Sequence, residues 1–100
     1  MSRLVQIDLN IETFQEGLFG LAAAEQVALL ATFGKIVQMT WDQVYRDKGL
    51  HWEAIQTRTG EDKLRLYSFR ITRKFRAVAY RDGNFMRCVS LHPDHDSAYQ

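Results

Sequence analysis

Apolar and polar residues first alternate along the chain, then recur at helical spacing, then alternate again. In residues 3–9, Val5, Ile7 and Leu9 fall on one side and Leu4, Gln6 and Asp8 on the other, which predicts a first strand. Asn10 can cap a following helix by accepting an orphan backbone N–H, and Ile11, Phe14, Leu18 and Leu21 form the apolar stripe of that helix. Gly17 and Gly20 weaken it and mark its end. A longer helix is expected over residues 22–46, where Val27, Leu30, Ala31, Gly34, Val37, Trp41, Val44 and Tyr45 share a face. That face reads as core, with Gly34 admitting the first helix at close range. Lys48-Gly49 supplies the stop, Gly49 providing positive φ. Trp52 and Ile55 should pin the connection to the core, and residues 57–63 read as a polar loop.

Alternation returns over residues 64–71, with Tyr67, Phe69 and Ile71 on one face and Ser68 and Arg70 on the other. Residues 75–81 and 85–91 read as two more strands, joined by Asp82-Gly83, a strong two-residue hairpin signal. With Asp82 and Gly83 as the turn, Arg81 opposes Asn84, Tyr80 opposes Phe85, Val78 opposes Arg87 and Arg76 opposes Val89. Phe75, Ala77, Ala79, Met86 and Cys88 then form a floor of small and soft residues suited to two helices, while Arg70, Arg76 and Arg87 share the face without helices. The expected fold is α+β, ordered β-α-α-β-β-β, a small twisted antiparallel sheet with a helical hairpin on one face.

At 100 residues the chain is expected to form one domain, residues 1–100, with one modest core. Its single cysteine, Cys88, excludes a disulfide framework and suits a reducing cytosol, so a cytoplasmic protein is expected. The first residues lack the apolar core of a signal peptide, and no apolar run is long enough to span a membrane. The net charge of +1 hides an asymmetry. Residues 1–57 carry four Lys/Arg against seven Asp/Glu, a net −3; residues 58–87 carry nine against three, a net +6. A basic half on a near-neutral chain points to a polyanion or an acidic partner.

The chemistry concentrates at the end of the last strand, in Ser90-Leu91-His92-Pro93-Asp94-His95-Asp96-Ser97-Ala98-Tyr99. Upstream lies the arginine-rich stretch Tyr67-Ser68-Phe69-Arg70-Ile71-Thr72-Arg73-Lys74-Phe75-Arg76. Arginines beside proton donors and acceptors are what phosphodiester cleavage needs. A histidine transfers protons near neutral pH, and arginine offers always-charged, bidentate donors to phosphate oxygens. His92, next to Pro93, reads as a structural turn residue. A metal is not expected, because His51 is the only upstream histidine to join the terminal pair.

The Tyr-x-Phe-Arg strand, the Phe-Arg-Ala-Val-Ala-Tyr strand and the terminal His-Asp-x-x-Tyr resemble the RelE/ParE superfamily of type II toxin–antitoxin toxins. The resemblance covers the whole chain in topology and is motif-specific over residues 67–99. RelE-like members are mRNA interferases that cut mRNA in the ribosomal A site; ParE-like members inhibit DNA gyrase. The resemblance implies that Arg76 holds the scissile phosphate, that Arg70 is a second basic group, that Tyr99 stacks on a substrate base, and that His95 matches the catalytic histidine of the YafQ-like branch. Arg73, Lys74, Arg87 and Asp96 complete the expected substrate-binding set, Asp96 as a helper that orients His95. Ser68 stands where some members have a lysine, the turn at residues 71–74 is one residue longer than usual, and the net charge is low for the family.

The expected activity is therefore metal- and cofactor-independent RNA cleavage through the 2′-hydroxyl, on ribosome-bound mRNA. The expected partners are that mRNA and a cognate antitoxin, the chain being a monomer or dimer that enters a toxin–antitoxin hetero-oligomer. Two alternatives stay open: a non-enzymatic gyrase inhibitor of the ParE kind, and a binding module that keeps the fold without activity.

Overall fold

The structure, a computed structural model, describes residues 3–59 and 64–93, with the backbone alone for residues 56–59. The elements run β1 (Gln6–Asp8), α1 (Glu12–Gly20), α2 (Ala23–Ile36), α3 (Trp41–Arg46), β2 (Glu53–Thr59), β3 (Arg65–Arg70), β4 (Arg76–Asp82) and β5 (Phe85–His92). The sheet order is β1-β5-β4-β3-β2. The α+β layering is as the sequence implies, with a third helix and a fifth strand added. β1 runs parallel to β5 while the other pairs are antiparallel, so the sheet is mixed.

Helices cover one face of the sheet. Phe14, Leu29, Phe33, Ile36, Trp41 and Val44 pack onto Phe69, Phe75, Ala77, Ala79, Met86 and Cys88, all buried. Ala77 and Ala79 leave room for the aromatic rings above, and Phe14 meets Phe33 with ring centroids 6.1 Å apart. Cys88 lies in this layer, where burial pushes its thiol up to about 12, so it is a packing residue and not a nucleophile.

Several sequence expectations are corrected. The helix expected over residues 22–46 is two helices, because Thr40 opens a new one: its Oγ1 accepts from Gln43 N at 3.3 Å, while Gln43 Oε1 accepts from Thr40 N at 2.8 Å. This is a Thr-x-x-Gln capping box. The face of α2 toward the core is Leu29, Phe33 and Ile36, so Val27, Leu30, Gly34 and Val37 point outward. Asn10 caps nothing; both its nitrogens donate to Asp8 Oδ1, and Ile11 occupies the N-cap position of α1. The positive φ after α3 falls on His51, at 49°, and not on Gly49. Residues 57–59, expected in a loop, belong to β2.

The hairpin register also differs. Asp82 pairs with Phe85, leaving Gly83 and Asn84 as the turn, with Gly83 at φ +61° as the first central position of a II′ turn requires. The backbone carbonyl of Asn84 accepts from Trp41 Nε1 at 3.2 Å and from Gln6 N at 3.1 Å, which holds the turn against α3 and β1. A register shift between Val78 and Ala79 then brings Val78 opposite Ser90 and Arg76 opposite His92.

β1 is fixed to β5 by charge as well as by backbone pairing. Asp8, buried, accepts from Arg87, which also donates to Asp82 Oδ2 at 2.8 Å. Burial works to raise the Asp8 pKa, but the Arg87 hydrogen bond and charge and the Asn10 donors outweigh it, so the carboxyl titrates below its ordinary 3.8. Asp47 shifts the same way, chiefly through its hydrogen bond from Lys35 and against burial.

Two predictions follow from this packing. Leu29→Ala should cost roughly 2–5 kcal/mol, whereas Leu30→Ala, on the outer face, should stay within about 0.5 kcal/mol; urea unfolding midpoints separate the two. The second concerns acid. A carboxyl with a depressed folded-state pKa stabilises the fold above its unfolded value and loses that contribution as pH falls through the folded value. Asp8→Asn should therefore make the stability–pH profile shallower below about pH 4, with the slope due to Asp47 remaining. Thermal melts from pH 7 to pH 2 measure it.

Candidate functional site

The face without helices, among the described residues, carries the polar groups. Strand alternation puts Leu66, Ser68 and Arg70 of β3 and Arg76, Val78 and Tyr80 of β4 on it. Two cross-strand rows result. Arg70, Arg76 and His92 are consecutive partners across β3, β4 and β5. In the next row Glu53, Ser68, Val78 and Ser90 are partners across β2 to β5. Buried Val78 and Leu66 give the face an apolar floor.

Arg76 is held in place from two sides. One guanidinium nitrogen, Nη2, donates to Ser68 Oγ at 3.1 Å and lies 3.5 Å from Glu53 Oε1. The other Glu53 oxygen, Oε2, lies 3.1 Å from His51 Nε2. The Arg76 side chain keeps 32% of its accessible surface, so solvent reaches it. Arg70 Nε is buried and makes no hydrogen bond among the described residues, although arginine has only donors to offer. His92 Nε2 is 2.8 Å from Ser90 Oγ, a contact that orients its ring. The turn between β3 and β4 places Arg73 and Lys74, both exposed, at the same end of the sheet as Arg70 and Arg76.

The structure thus brings Arg70 and Arg76 together, with Arg73 and Lys74 beside them. Arg87 shares their face but not their neighbourhood. It lies five residues along β5 from His92, roughly 17 Å at the rise of a strand, and both Asp8 and Asp82 bind its guanidinium. His95, Asp96 and Tyr99 lie outside the described residues. His92, read from the sequence as a turn residue, is instead the last residue of β5 and faces Arg76.

Sequence reasoning also passed over Glu53, Ser90 and His51. Glu53 and His51 reach the site through pairing of an edge strand that has no apolar alternation to announce it. For His92 a signal existed: a residue before proline is biased toward extended backbone, which continues a strand. Among the described residues, no group of three or more His, Cys, Asp or Glu side chains is placed to hold a metal ion. No helix among them is long and apolar enough to cross a membrane.

Chemically, this arrangement offers fixed positive charge, a carboxylate and an imidazole within one cross-strand neighbourhood on an open surface. Such a surface suits an anionic chain better than a small enclosed ligand.

No family model matches the chain, and no curated protein does. Among solved structures it is similar to a chain of the archaeal RelE-RelB complex from Pyrococcus horikoshii OT3, at 19% identity and a TM-score of 0.59, over 93% of this chain and 96% of that one. A five-stranded mixed sheet with helices on one face, superposing over nearly the full length of both chains, gives this protein a RelE-like fold.

Proposed function

We propose that the chain is a toxin-like endoribonuclease of a toxin–antitoxin module, an mRNA interferase that cleaves RNA through the 2′-hydroxyl. The observation that carries this reading is the Arg70–Arg76–His92 row, with Glu53 on the same face. In-line attack by a 2′-hydroxyl needs a base for that proton, positive charge on the developing phosphorane, and an acid for the leaving 5′-oxygen. Arg76, steadied by Ser68, supplies charge at a fixed position, where preorganised donors act most strongly. Arg70 adds a second guanidinium.

In this reading Glu53 takes the hydroxyl proton and His92 returns one to the leaving oxygen. His95 and Tyr99 belong to the same proposal on sequence grounds, His95 as an alternative proton carrier and Tyr99 as a stacking surface worth roughly 1–3 kcal/mol per base. Asp96 orients His95, and Arg73 and Lys74 hold flanking phosphates. Arg87, expected to bind substrate, enters here as a contact at the far edge. The working context is a cytoplasmic ribosome, and the regulating partner an antitoxin, as the RelE-RelB pairing of the similar structure suggests.

The test is cleavage of ribosome-bound and of free RNA by purified protein, with and without EDTA. Cleavage of free RNA should survive EDTA, while ribosome-bound cleavage is measured in the Mg²⁺ that holds the ribosomal subunits together. Arg76→Ala should lower the rate ~10²–10³-fold, as loss of one preorganised donor does. Arg76→Lys should recover only part, because a point charge lacks the planar fork. The histidine that carries the proton loses ~10²–10⁴ on replacement by alanine. Parallel His92→Ala and His95→Ala measurements identify it. Wild-type rates in both Arg76→Ala and His92→Ala would remove the described face from the mechanism. No cleavage by the wild type, even on translating ribosomes, would leave gyrase inhibition or binding alone.

A further inference from the structure

α2 is apolar on two opposite faces, its polar residues Glu25, Gln26, Thr32 and Lys35 lying outside both. Its inner face is Leu29, Phe33 and Ile36; its outer face, all exposed, is Ala23, Ala24, Val27, Leu30, Ala31, Gly34 and Val37. Val27 keeps 67% and Leu30 61% of their accessible surface. A surface helix normally turns a polar face outward, so a continuous exposed apolar patch of this kind marks an interaction surface.

The order of large and small residues on this stripe is self-complementary. Laid antiparallel on its own copy about a two-fold axis between residues 30 and 31, the helix sets Leu30 against Ala31, Val27 against Gly34, and Val37 against Ala24. Each large side chain meets a small one. A Cβ added at Gly34 would touch nothing within 4 Å, so the hollow is open to receive Val27 of a second copy. Small residues let helix axes approach at the close end of the usual 8–10 Å.

Charge points the same way. Between Ala23 and Val37 the only charge on the exposed side is Lys35, at its border, and Lys35 is already bonded to Asp47 at 2.8 Å. A strongly charged partner finds no counter-charge here, whereas a second copy brings none that needs one. Antiparallel helix dipoles also favour the arrangement. We propose that two copies of this chain pair through the outer face of α2, as an isologous dimer in the 27–34 and 30–31 register. One helix pair about 21 Å long falls at the small end of stable interfaces, below about 1,200 Å² in total, so the dimer forms in a concentration-dependent way.

Sedimentation velocity of the full chain, from micromolar to millimolar protein, tests the proposal. The wild type should pass from monomer to dimer across that range. Leu30→Glu should remain monomeric with an unchanged thermal midpoint, since Leu30 is outside the core. Gly34→Val should weaken pairing by setting Val against Val27, and the double variant Val27→Gly, Gly34→Val should restore it by exchanging the large and small partners. A wild type that is monomeric throughout would overturn the proposal, as would a dimer indifferent to Leu30→Glu. If the chain alone is monomeric and Leu30→Glu instead weakens binding to its antitoxin, the stripe belongs to that partner and self-pairing is wrong.

Discussion

The direction in which β4 faces governs everything else. Ala77 and Ala79 must lie under the helices, because only small side chains leave space there for Phe14, Phe33 and Ile36. A strand has a side-chain period of two, so committing Ala77 inward commits Arg76 outward. A slip by one residue would press Arg76 into an apolar layer, where an unpaired charge costs several kcal/mol. The packing of the core and the exposure of the arginine are thus one decision. β3 makes the same decision independently, with Phe69 inward and Ser68 and Arg70 outward.

Two arginines on this face have different duties, and burial decides between them. Arg87 binds Asp8, whose side chain keeps only 7% of its accessible surface; removing the cation would leave a nearly buried carboxylate unpaired. That pair ties β1 to β5, whatever Arg87 adds at the far edge of the proposed site. Arg76 faces Glu53, which is 56% exposed, and an exposed ion pair is worth no more than about 1 kcal/mol. An incoming phosphate can draw Arg76 from Glu53 at small cost, leaving the carboxylate free beside it, while the Ser68 contact keeps the guanidinium aimed. The proposed site thus sits where charge is held but not locked.

The strands and the arginine face were legible because alternation over residues 64–71 and 75–81 is unambiguous, and because Asp82-Gly83 marked the hairpin to within one residue. The phase of α2 was not. With apolar residues on both sides, its periodicity admits two core faces, and reading one helix through residue 46 carried the phase of Trp41 and Val44 backward onto Val27, Leu30 and Val37. The break at Thr40 destroys that phase relation. The capping-box spacing from Thr40 to Gln43 was present in the sequence, and it outweighs periodicity wherever the two conflict.

The edge strand was illegible for a different reason. Among the described residues β2 pairs with β3 alone, and its sequence is largely polar, as suits a strand that must not recruit another chain. An edge strand is specified by its neighbour rather than by its own pattern, so its register, and with it the position of Glu53 opposite Ser68, exists only once β3 is placed. The same holds for His92. Its residue type suggested chemistry and its neighbour Pro93 suggested a turn, but its position opposite Arg76 depends on a register shift opposite Val78 and Ala79 that no local signal announced. Arg70 and Arg76 needed only alternation to be found, whereas Glu53 and His92 needed the sheet assembled. The arginines of the candidate site are therefore written locally, and the positions of Glu53 and His92 beside them in the tertiary fold.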